Sequence, residues 1–83
     1  MAELRQEKVT VRDKEYTFQE MPSRAFLKMQ NRTQDRNGNP ILEKLYDEIL
    51  KHIVVEPRVT VDDYSTGELE ELASEAMKFQ LEG

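Results

Sequence analysis

EKVTVRDKEYTFQEMPSRAFLKMQNR, residues 7 to 32, changes its apolar period part-way along. As far as Gln19 the apolar residues alternate, with Val9 and Val11 on one face of a first run and Tyr16 and Phe18 on one face of a second. RDK between them reads as a turn, so a β-hairpin over 7–19 is expected. The turn lacks the favoured Asn-Gly or Asp-Gly pair, which leaves its register open. After Met21 the period becomes helical: Pro22 suits a first turn, and Ala25, Phe26 and Met29 fall on one side of a helix over about 22–32. Arg24, Lys28 and Arg32 form a basic stripe on the opposite side, and Leu27 lies off both stripes, where a lone monomer would leave it exposed.

Moving outward, TQDRNGNP (33–40) is a polar turn with its tip at Asn37-Gly38. A second helix is expected over about 40–54, because Ile41, Leu42, Leu45, Tyr46, Ile49, Leu50 and Ile53 recur at i, i+3 and i+4. Pro57 forces Glu56 toward extended geometry and stops that helix by about Val55. Val59 and Val61 alternate, which suggests either a short third strand near residues 58–61 at the hairpin edge or a segment lying along the surface. Ser65 and Glu68 form an S-x-x-E capping box, and Asp62 and Asp63 add favourable negative charge ahead of it. The third helix, over 66–81, has an apolar stripe of Leu69, Leu72, Ala73, Ala76 and Phe79 and an acidic stripe of Glu68, Glu71, Glu75 and Glu82. The order of elements predicts a small α+β domain spanning 1–83, an N-terminal β-hairpin packed against about three α-helices.

At 83 residues, 37% hydrophobic and 35% charged with no Trp, the core is thin, and self-association or a partner would add to a modest stability. The absence of Cys removes disulfides, thiolate zinc sites and thiol nucleophiles, in keeping with a reducing compartment. No apolar run approaches the ~20 residues that span a bilayer, so no membrane association is expected. The net charge of −5 is uneven: seven acids against Lys78 alone in 62–83, and eleven bases against ten acids before them. Nucleic-acid binding leaves a strongly basic footprint, which the overall charge opposes.

The chemistry-bearing residues point away from catalysis. Asp35, Asn37 and Asn39 match the first three ligand positions of a calcium loop, yet Pro40 replaces the Gly that turns it and Tyr46 the Glu that closes it. His52, the only histidine, sits in the last turn of the second helix with no visible partner, as a structural or solvent-facing ring. Asp62 and Asp63 are adjacent and so diverge, and no phosphate-binding Gly-rich loop or nucleophile-base pair accompanies them. The expectation is a non-enzyme with no cofactor and no metal. The basic stripe reads as a solvated face, as a partner for the acidic stripe of the third helix within or between subunits, or as a phosphate contact.

In order and spacing, VTVRDKEYTFQEMPSRAFLKM, YDEILKHIVVEP and RVTVDDYS followed by an acidic helix resemble the tail assembly chaperones of long-tailed bacteriophages and prophages. The resemblance spans nearly the whole chain. It implies a non-enzymatic role: binding the tape-measure protein, keeping it soluble and helping recruit tail-tube subunits, in the cytoplasm of the bacterial host and not in the mature virion. It further implies that a longer, frameshift-extended form is what contacts the tail-tube protein; FQLEG at the acidic end is compatible with the short form. A chaperone of amphipathic helices needs accessible apolar surface offered repeatedly, which makes a homo-oligomer expected. Arg24, Leu27, Lys28, Arg32, Ile53, Val54, Val55 and Tyr64 are the candidate partner-binding residues. The alternatives are a small nucleic-acid-binding regulator, which would bind through Arg24, Lys28 and Arg32, and a virion head-tail connector component.

Overall fold

The computed structural model describes residues 4–82; the first three residues and the last of the expected domain lie outside them. The chain order is β1 (Gln6–Val11), β2 (Lys14–Gln19), α1 (Ser23–Arg32), α2 (Leu42–His52), β3 (Val54–Glu56), a 3-10 turn at Val61–Asp63 and α3 (Thr66–Glu82). It is an α+β fold, a three-stranded antiparallel sheet in the order β1-β2-β3 with three helices.

The expected hairpin forms with Val9 opposite Tyr16 and Val11 opposite Lys14. Its two-residue turn places Arg12 and Asp13 at φ 49° and 65°, the pair of left-handed residues that a type I′ turn demands. An L-residue there costs on the order of 1–2 kcal/mol, less for Asp, so tertiary contacts must hold the turn. One of them is Arg12, whose Nε lies 3.0 Å from Oε1 of Glu71 on α3.

Alternation places Val9, Val11, Tyr16 and Phe18 on one face of the sheet. Phe18, Ile49, Ile53 and Val54 are completely buried, and Phe26 and Met29 from α1 and Leu72, Ala73, Ala76 and Phe79 from α3 are buried against them. Phe79 meets Phe18 edge-on, with ring centroids 5.7 Å apart. A fully buried side chain of this size contributes about 1.5–3 kcal/mol.

The third strand differs from the strand expectation: it is Val54–Glu56, residues 58–60 belong to no strand, and Val61 opens the 3-10 turn. Helix α2 is correspondingly shorter than 40–54, since it ends at His52 and Val54 pairs with Phe18 across a bulge in the β2–β3 ladder. In Ile53-Val54-Val55 the apolar spacing continues the helix, but β-branched residues suit a strand, and Gln19 N–H donates to Ile53 C=O at 2.8 Å to start one. Helices α1 and α3 lie within one residue of their expected bounds.

Gln80 docks the far end of α3. It is buried, accepts from Met21 N–H at 2.7 Å and donates to Met21 C=O at 3.0 Å. Its side-chain amide thus pairs both backbone groups of a residue that has no strand neighbour. Arg5 stacks on Phe79, 4.2 Å from the ring centroid, and donates to the Phe79 carbonyl.

Candidate protein-binding surface

Helix α1 is short, and only Phe26 and Met29 along it are buried. Its other side faces out. Leu27 is 58% exposed, and Arg24 and Lys28 beside it are exposed and form no ion pair among the described residues. Thr33 closes the helix, its hydroxyl donating to the Met29 and Gln30 carbonyls.

Arg32, the third member of the basic stripe, is tied to α2. Its guanidinium donates to Glu48 Oε1 from Nε at 3.2 Å and from Nη2 at 3.0 Å, while the other carboxylate oxygen lies 2.9 Å from His52 Nε2. His52 therefore has the partner that the sequence reading denied it, one helical turn back. Partial burial pushes the Glu48 carboxyl up, but the hydrogen bond and charge of Arg32, followed by those of His52, outweigh it and leave the group below its ordinary value.

The acidic stripe of α3 does not meet the basic stripe of α1 within the subunit. Its internal partner is Arg12 from the hairpin turn, bound to Glu71. The Ser65 hydroxyl accepts from Glu68 N–H at 3.4 Å and donates to the Glu68 carboxylate at 2.8 Å. That hydrogen bond chiefly lowers the Glu68 carboxyl below its usual value. Asp63 caps its own 3-10 turn instead of α3, accepting from Thr60 N–H at 2.8 Å. Asp35 likewise spends a carboxylate oxygen on Asn37 N–H at 2.8 Å and Asn39 N–H at 3.0 Å, closing the polar turn around Gly38 at φ 84°.

Two of the candidate contact residues are withdrawn: Ile53 and Val54 are wholly buried beneath the sheet, because β3 carries Val54 into the ladder beside Phe18. Val55 points to the opposite, outer face and is half-buried. Tyr64 is half-buried too, its hydroxyl 3.0 Å from that of Tyr16. Desolvation, then the Tyr16 hydrogen bond, raises the Tyr64 phenol well above its usual value.

Several surface features went unread in the sequence. Leu42 and Leu81 are more than half exposed. A cleft of about 500 Å³ runs between α2 and the connector, lined by Leu50 and Val59 with Asp47, Lys51 and Arg58 at its rim. Arg58 fixes that connector by donating to the Lys51 carbonyl at 2.8 Å. Gln80 carried a usable signal, because it occupies an apolar-stripe position four residues after Ala76 and eight after Leu72. Among the described residues no group of three His, Asp or Glu side chains converges to hold a metal ion, and no helix is long and apolar enough to cross a membrane.

Comparison with protein-family models, with curated proteins and with solved structures finds no match to this chain. The functional reading therefore rests on the residues and their arrangement.

Proposed function

We propose that this protein is a non-enzymatic tail assembly chaperone of a long-tailed bacteriophage or prophage. It binds the tape-measure protein and keeps it soluble in the host cytoplasm, and it is left out of the finished virion. The observation that carries this reading is the outward face of α1, where an apolar side chain, Leu27, stands exposed alongside the cations Arg24 and Lys28. A long amphipathic helix presents apolar residues beside charged ones at repeated intervals. A leucine alongside unpaired cations is complementary to such a repeat where its charges are acidic: the apolar contact gives affinity and the charges set orientation and encounter rate. Many copies along one client would add avidity to a weak single contact. Recruitment of tail-tube protein belongs to the same reading, through a frameshift-extended form.

Co-expression with a tape-measure protein of a long-tailed phage, taken from the same genome, tests the proposal. The client is expected to move into the soluble fraction in complex with this chain, and Leu27→Asp or the pair Arg24→Glu and Lys28→Glu is expected to return it to the pellet. A client equally insoluble with and without the chain would overturn the chaperone reading. Mass spectrometry of purified particles separates it from a head-tail connector, which would be found there.

A further inference from the structure

The two edges of the sheet are unlike. β3 is three residues long, joins β2 through a bulge and runs into Pro57, all features that discourage further pairing. β1 has six residues, Gln6–Val11, in regular register with β2 and with neither proline nor bulge.

The direction of its backbone groups follows from the turn. In a two-residue hairpin Val11 and Lys14 exchange hydrogen bonds, and so do alternate pairs beyond them; Glu20 N–H donating to Arg5 C=O at 2.8 Å continues that series. The N–H and C=O groups of Arg5, Glu7, Val9 and Val11 therefore turn toward β2, and those of Gln6, Lys8 and Thr10 turn toward the open side.

We infer that this edge pairs with the β1 of a second copy, antiparallel about a two-fold axis at Val9, to give one continuous six-stranded sheet. Among axes from Glu7 to Thr10, at the middle of the strand, the side chains select that register. Both copies keep their buried faces on the same side only if the axis passes through a residue. An axis at Glu7 sets two carboxylates opposite each other, and one at Lys8 sets two ammonium groups opposite. One at Thr10 sets Lys8 opposite Arg12. An axis at Val9 places Val9 against Val9 on the core side and Lys8 against Thr10 on the outer side, with no like charges directly opposed. Lys8 also keeps Glu15 beside it, 3.9 Å away within its own subunit. Lys8 and Thr10 of each copy would exchange about four backbone hydrogen bonds across the axis. The partly buried Val9 gains a partner on the side that its own hairpin leaves open. This pairing does not depend on the chaperone reading and would hold for any client.

Sedimentation of the native chain over a range of concentrations should show a monomer–dimer equilibrium. Lys8→Pro removes an outward-facing N–H and no bond to β2, so the hairpin is retained while dimer affinity falls roughly 10- to 100-fold. The chain has no cysteine, so Val9→Cys introduces a unique thiol. Opposed residues at a pair without hydrogen bonds approach to about 4.5 Å between Cα atoms, within disulfide range. Oxidised Val9→Cys should therefore form a disulfide dimer far faster than Ser23→Cys on the exposed start of α1. A native chain that stays monomeric throughout, a dimer that Lys8→Pro leaves intact, or Val9→Cys cross-linking no faster than Ser23→Cys would each overturn the inference. Co-expression with the client is read separately, so a failed chaperone assay leaves these outcomes unaffected.

Discussion

Helices α1 and α3 are both amphipathic, yet they use their polar residues in opposite ways. α3 commits three of its own to the fold, while Glu70, Lys78 and Glu82 stay solvent-facing: Glu71 holds Arg12 in the strained hairpin turn, Glu68 caps the first turn with Ser65, and Gln80 completes the backbone of Met21. α1 commits only Arg32, through Glu48 and on to His52, and leaves Arg24, Leu27 and Lys28 facing outward. Polar character on a helix is therefore no guide to binding. What distinguishes a surface free to bind is that its polar groups have no partner in the subunit.

The comparison is broken most directly at Phe79. Phe79→Ala removes the ring that meets Phe18 and carries Arg5, and should cost about 3–5 kcal/mol against a total stability of roughly 4–12 kcal/mol for a chain of this length. Urea unfolding should show the loss, or a chain unfolded outright. A loss below about 1 kcal/mol would mean that Phe79 does not anchor α3 on the sheet. Gln80→Ala comes next, because it strands the buried N–H and C=O of Met21; about 1–3 kcal/mol is expected, read as a drop in melting temperature of at least ~4 °C.

The α1–α2 clasp is smaller and depends on pH. Glu48 has a folded value lowered from 4.5, so its contribution is complete above that unfolded value and is lost as pH falls through the lowered one. Because Arg32 is half exposed, solvent limits the pair to about 1 kcal/mol or less. Glu48→Gln should flatten part of the acid limb of the stability profile and leave the melting temperature at pH 9 within a few degrees. An unchanged acid limb would show that the clasp contributes nothing. The smallest effect is at Leu27: Leu27→Ser should shift stability by no more than about 0.5 kcal/mol while still weakening client binding. A large loss of stability there would place Leu27 in the core and remove the distinction between the two helices.

Local pattern made much of this legible. The strands of the hairpin, the polar turn at Gly38 and the Ser65–Glu68 start of α3 follow from alternation, turn chemistry and capping, each set by residues close in sequence. The exposure of Leu27 also follows, since its angle around the helix misses the apolar stripe. The third strand was misplaced because Val54 becomes strand only by pairing with Phe18, far away in the chain, whereas Val59 and Val61 alternate with nothing to pair against. Ile53 and Val54 were assigned to the surface for the same reason: periodicity does not report which layer covers a residue. Glu48 gave no sign of joining Arg32 to His52, because one of those contacts crosses between helices.

The sequence by itself determined the α+β class, the order of elements and the faces on which apolar and charged residues lie, because those depend on periods of two and 3.6 residues. Tertiary structure alone decided which polar groups are spent. Arg12 with Glu71, Gln80 with Met21 and Arg32 with Glu48 are pairs distant in sequence, formed only where packing brings the elements together. Only those pairs separate Arg32, which is spent on α2, from Arg24 and Lys28, which are not, and only the strand order leaves the edge of β1 open.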